Sequence, residues 1–85
     1  MKTLQAYVKR ENDWRMIFKS QPLSLDTASD RQKVADNIDS KLSPENLTCD
    51  GELSRAEVNR RYRELTAVAK ELKALDPNVR MYEFA

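Results

Sequence analysis

The sequence predicts a small α+β protein in which a three-stranded antiparallel sheet, built from an N-terminal hairpin plus a C-terminal strand, packs on two antiparallel helices in the order β-β-α-α-β. Three patterns predict it. Apolar residues alternate at Leu4, Ala6 and Val8 and again at Trp14, Met16 and Phe18; they step by four and three through Val58, Tyr62, Leu65, Ala69 and Leu72; and they alternate once more in the closing VRMYEF. A period of two marks a strand with one buried face, and a period near three and a half marks an amphipathic helix.

Between the first two runs lies a polar break at residues 10–13, where Asn12 and Asp13 supply the turn chemistry of a hairpin. A helix is the rival reading, because Leu4, Tyr7 and Val8 also share helical spacing, and it would convert the fold into a small helical bundle. The hairpin is preferred because a helix carries Glu11 onto the Leu4 stripe and spreads Trp14, Met16, Ile17 and Phe18 around its axis. Pro22 ends this unit. Past it, Asp26 or Ser29 caps a helix of about four turns that places Val34, Ala35, Ile38 and Leu42 on one face. Pro44 closes that helix or begins a short new turn with Ser43 as its cap. The strongest helix runs from Arg55 to about Leu75: Ser54 and Glu57 form a capping box, Val68 and Leu75 widen the apolar stripe, and Asp76, Pro77 and Asn78 stop it. In the final strand Arg80, Tyr82 and Phe84 face one way and Val79, Met81 and Glu83 the other.

At 85 residues there is room for one domain, residues 1–85, with a core of modest size. Apolar residues make up 40% and charged residues 34%, a balance suited to a soluble globular chain. No apolar run reaches the roughly 18 residues of a membrane span, and the first residues lack the apolar stretch of a secretory signal. A single cysteine, Cys49, cannot form an intramolecular disulfide, which together with these absences predicts a cytoplasmic protein. Histidine is absent and glycine occurs once. Histidine-dependent nucleophile pairs, structural zinc sites and glycine-rich phosphate loops are therefore excluded, so neither catalysis nor a cofactor is expected. The net charge of +1 argues against a dedicated DNA binder. It is unevenly spread: residues 1–20 carry five basic and two acidic groups, residues 21–53 three and seven, and residues 54–85 seven and five.

The run NLTCDGELSRAE, residues 46–57, resembles the twelve-residue calcium loop of the EF-hand family, with Asn46, Thr48, Asp50, Glu52 (through its carbonyl), Ser54 and Glu57 at ligand positions and Gly51 at the sharp turn. The resemblance implies a calcium-binding module. Asn46 and Thr48 stand where carboxylates are usual, and a cap explains the same letters: Gly51 takes a positive dihedral, Leu53 acts as a staple, and Ser54 with Glu57 caps the long helix. No metal is therefore expected, with the calcium set as the alternative. Residues 42–72 also resemble segments of short uncharacterised accessory proteins encoded by bacteriophages and related mobile elements, and that likeness implies an accessory or regulatory role carried out by binding a macromolecule.

Arg60, Arg61 and Arg63 fall within one and a half helical turns in NRRYRE. Exposed members of this trio, with Tyr7 and Trp14 second to them, are the predicted partner-binding residues, and a protein is the predicted partner. A nucleic acid held by the same arginines is the alternative. A homodimer formed on the apolar stripe of the long helix is a further possibility.

Overall fold

The computed structural model describes residues 2–19, 21–47 and 54–84. It corrects the predicted fold class: among the described residues there are four helices, α1 (Lys2–Phe18), α2 (Ala28–Leu42), α3 (Pro44–Leu47) and α4 (Arg55–Leu75), and no strand. The protein is a small helical one, and the predicted hairpin and C-terminal strand do not form.

The hairpin is replaced by one helix for a reason visible in its first half. Leu4, Tyr7 and Val8 are all buried, so the helical spacing, and not the alternation through Ala6, decides which residues meet the core. Glu11 does fall on that stripe, and the helix accepts it because Lys41 of α2 pairs with its carboxylate at 2.5 Å. Lys19 follows with φ of 54°, the left-handed conformation in which helices commonly end. The Asn12 side chain then holds both backbone groups of Leu23: its amide donates to the Leu23 carbonyl at 2.9 Å, and its oxygen accepts from the Leu23 N–H at 2.6 Å. Asn12, predicted to make a turn, instead clamps the linker against α1.

α2 is capped by Thr27, whose hydroxyl accepts from the Asp30 N–H at 3.1 Å, and not by Asp26 or Ser29. Its buried face is Val34, Ala35, Ile38 and Leu42, as the periodicity predicts. Pro44 opens the single turn of α3, whose Asn46 and Leu47 N–H groups donate to the Ser43 carbonyl. In α4 the Ser54 hydroxyl accepts from the Glu57 N–H at 3.2 Å, while the Glu57 carboxylate turns to Arg60. Leu65, Val68, Ala69 and Leu72 are buried, Tyr62 is half exposed, and Asp76 ends the helix by donating its N–H to the Leu72 carbonyl.

α4 is the central element and packs against both α1 and α2. The Leu4 N–H donates to Glu71 and Arg10 pairs with Glu64, which sets α1 antiparallel to α4. Arg31, in the first turn of α2, reaches Asp76 at the end of α4 and also donates to the Leu25 carbonyl, so one guanidinium ties together α2, the linker and the α4 terminus. Residues 79–84 lie along α2 as an extended strap. Val79 and Met81 are buried and Arg80 is exposed, but the predicted alternation ends there: Tyr82 and Glu83 are both exposed and Phe84 packs against the core. Apart from the Val79 N–H, which donates to the Asp76 carbonyl, the hydrogen bonds to the strap come from side chains and not from a neighbouring strand among the described residues. Gln32 exchanges two bonds of 3.0 Å with the Arg80 backbone, Asp39 accepts from the Glu83 N–H, and Lys73 donates to the Val79 carbonyl. Burial of Val79 and Met81 therefore needs only an apolar surface beneath the chain and does not require a sheet.

Candidate functional site

α1 and α4 are both longer than the core they build. In α1 every residue from Asp13 to Ile17 is exposed, and in α4 most of residues 54–63 are, whereas the opposite ends of the same helices carry fully buried Leu4 and Leu72. Because the helices are antiparallel, the two overhanging segments lie at the same end of the molecule and form a two-helix arm.

At the root of the arm is a groove of about 500 Å³. Its floor is Tyr7, Leu47 and Leu65, and Arg10, Trp14, Lys41, Arg60 and Arg61 stand around it. The groove is ordered by a ladder of cations and rings. The Arg10 guanidinium carbon lies 5.5 Å from the Tyr7 ring centre and 5.8 Å from that of Trp14, and Lys41 Nζ lies 5.4 Å from Tyr7. Each cation is also held by a carboxylate, Arg10 by Glu64 at 2.6 Å and Lys41 by Glu11. Asn37 donates to the Tyr7 hydroxyl at 2.8 Å. Burial, reinforced by the nearby Glu11 carboxylate, pushes the Tyr7 phenol above its ordinary range, so it stays neutral at physiological pH. Among the described residues, Arg10 Nε and Glu11 Oε1 are buried and have no protein hydrogen-bond partner.

Of the five predicted partner-binding residues, the structure brings four around this groove: Tyr7, Trp14, Arg60 and Arg61. Tyr7 is only 2% exposed and forms the floor, so it shapes the groove and is not a surface contact. Trp14 is 46% exposed. Arg60 forms an exposed pair with Glu57 at 2.7 Å, and Arg61 makes no ion pair among the described residues. Arg63 is exposed on another side of α4, beside Tyr62, Ala56 and Asn59 around a shallow depression. Arg10, Glu11, Lys41 and Glu64 were not among the predicted residues. Once α1 is helical, the spacing of Tyr7, Arg10 and Trp14 reveals the first of them, since side chains three and four apart meet on one face. The pairing of Glu11 with Lys41 joins different helices and has no local signal.

For the calcium alternative, Thr48, Asp50 and Glu52 lie outside the described residues. The Asn46 amide donates to the Ser40 carbonyl at 2.7 Å, Ser54 caps α4, and Glu57 holds Arg60. Among the described residues there is no cluster of three or more potential metal ligands, and no helix is long and apolar enough to cross a membrane. No family model, curated protein or solved structure matches this chain.

Proposed function

We propose that this chain is a non-enzymatic binding module, accessory or regulatory in role and of the kind found in phages, that docks on a protein partner through the α1/α4 arm. The observation that supports this reading is the overhang: two helices continue past the core and leave Trp14, Met16, Ile17 and Tyr62 exposed on the segments that carry Arg60, Arg61 and Arg63, with Trp14, Arg60 and Arg61 around one groove. Aromatic and arginine side chains are the ones that dominate binding energy at protein interfaces. A cytoplasmic location accompanies the proposal, supported by the single cysteine in the sequence.

A nucleic acid is the weaker reading, because the net charge of +1 is far from the strongly basic balance of a dedicated phosphate binder. The test is capture from a host lysate with the wild-type chain and with the Arg60→Glu/Arg61→Glu variant. The expected result is a protein whose recovery survives nuclease treatment and falls at least tenfold with charge reversal. Recovery of nothing that charge reversal weakens, or of material that nuclease removes, contradicts the proposal.

A further inference from the structure

We infer that the groove between α1 and α4 receives an acidic peptide segment of the partner that carries one large apolar side chain between carboxylates, an inference that rests on the protein-binding reading above. The shape of the groove argues for the apolar side chain. A volume of about 500 Å³ over Tyr7, Leu47 and Leu65 is enough to bury one large side chain, and it falls in the range of pockets that enclose small ligands. The Trp14 ring stands at its edge, steadied by Arg10.

The acidic flanks follow from the charges. Among the described residues, Arg10, Lys41, Arg60 and Arg61 line the groove with two carboxylates, Glu11 and Glu64, and both are already engaged, Glu11 by Lys41 and Glu64 by Arg10. Arg60 is held only by an exposed pair with Glu57, a weak kind of contact that an incoming carboxylate can replace, and Arg61 has no ion-pair partner among the described residues. An entering carboxylate therefore meets two available guanidinium groups, each able to grip it with paired N–H donors. An entering cation meets the same two guanidinium groups and, among the described lining residues, no uncommitted carboxylate. Complementarity of this kind sets partner choice more than raw affinity.

The experiment is a selection from a displayed library of random peptides on the full-length chain, followed by titration of the enriched peptides while the emission of Trp14, the single tryptophan, is recorded. The expected outcome is enrichment of peptides with a phenylalanine, leucine or tryptophan among aspartates and glutamates. Their binding should shift Trp14 emission, weaken at least tenfold in Arg61→Glu and more mildly in Arg61→Gln, and weaken with rising salt. Circular dichroism of both variants checks that the helices persist. No enrichment, enrichment of basic or purely polar peptides, binding that leaves Trp14 emission unmoved, or displacement of the peptides by oligothymidylate at lower concentration than by free peptide overturns the inference. If a natural partner is still captured in an Arg60- and Arg61-dependent way while the selection fails, the protein-binding reading stands and only this account of the groove falls.

Discussion

The two ends of α1 and α4 are made from the same helices and do different work. At one end Leu4 and Leu72 are fully buried together with Ile38 and Val34, and the strap of residues 79–84 closes over the packed layer. At the other end Met16 and Ile17 are 81% and 73% exposed, and α4 presents arginines on several of its sides. Helical propensity and capping suffice to extend a helix that a core has already nucleated, so the overhang needs no packing of its own. The difference teaches that apolar residues in a small protein are not all core: Leu4, Tyr7 and Val8 in the first half of α1 are buried, whereas Met16 and Ile17 near its end are exposed.

The comparison is broken most forcefully by truncating one side chain at each end. Leu72→Ala or Ile38→Ala, each emptying a fully buried position, is expected to cost about 2–5 kcal/mol in urea unfolding, enough to threaten a domain of this size. Ile17→Ala is expected to change stability by less than about 0.5 kcal/mol. Similar losses at both positions would show that the arm is part of the core.

The same contrast explains what was legible in the sequence. α2 and α4 were readable because each carries a buried set at helical spacing, Val34, Ala35, Ile38 and Leu42 in one and Leu65, Val68, Ala69 and Leu72 in the other, although Tyr62 and Leu75 on the predicted stripe of α4 are exposed. α1 was misread because its second half does not obey the pattern of a packed helix. Trp14, Met16 and Ile17 scatter around the axis and are exposed, and Glu11 sits on the apolar stripe since a lysine thirty residues away neutralises it. The features that argued against a helix are the ones that form the candidate site. The closing strand was misread for a different reason: alternation reports one buried face, and Gln32 and Asp39 supply the backbone partners that a strand would have supplied. Of the site, the arginine trio and Trp14 were visible as residue types, but the groove joining them depends on α1 lying antiparallel to α4, which no local pattern encodes.

At the boundary between the two ends, Glu11→Ala is expected to cost about 1–2 kcal/mol, because Lys41 is left beside the Tyr7 ring without its counter-charge. The double replacement Glu11→Leu/Lys41→Met should recover most of that loss while still changing the groove, so unfolding midpoints of the single and double variants separate stability from shape.

The acid side of the stability curve sharpens the account of the packed end. A hydrogen bond from Arg31, joined by one from the Asn78 N–H, holds the Asp76 carboxyl below the usual carboxylate range. Its folded pKa thus lies beneath an unfolded value of about 4, so its contribution is complete above that value and is lost as the pH falls through the folded one. Asp76→Asn should be less stable than wild type at neutral pH, and the gap should close below about pH 4. A gap that is the same at every pH would mean that the charge of Asp76 does not matter.

The smallest effect is expected at the junction of the arm and the linker. Lys19 holds a positive φ that glycine adopts without a steric penalty, and Lys19→Gly should stabilise the protein by up to about 0.5 kcal/mol, read as a higher unfolding midpoint.

The central claim is that the arm serves contact and not stability, and one pair of readings on Arg60→Glu/Arg61→Glu tests it most directly: the urea midpoint and the retention of the captured partner. The account predicts a midpoint close to wild type with at least a tenfold loss of retention. A lowered midpoint with retention unchanged would contradict it.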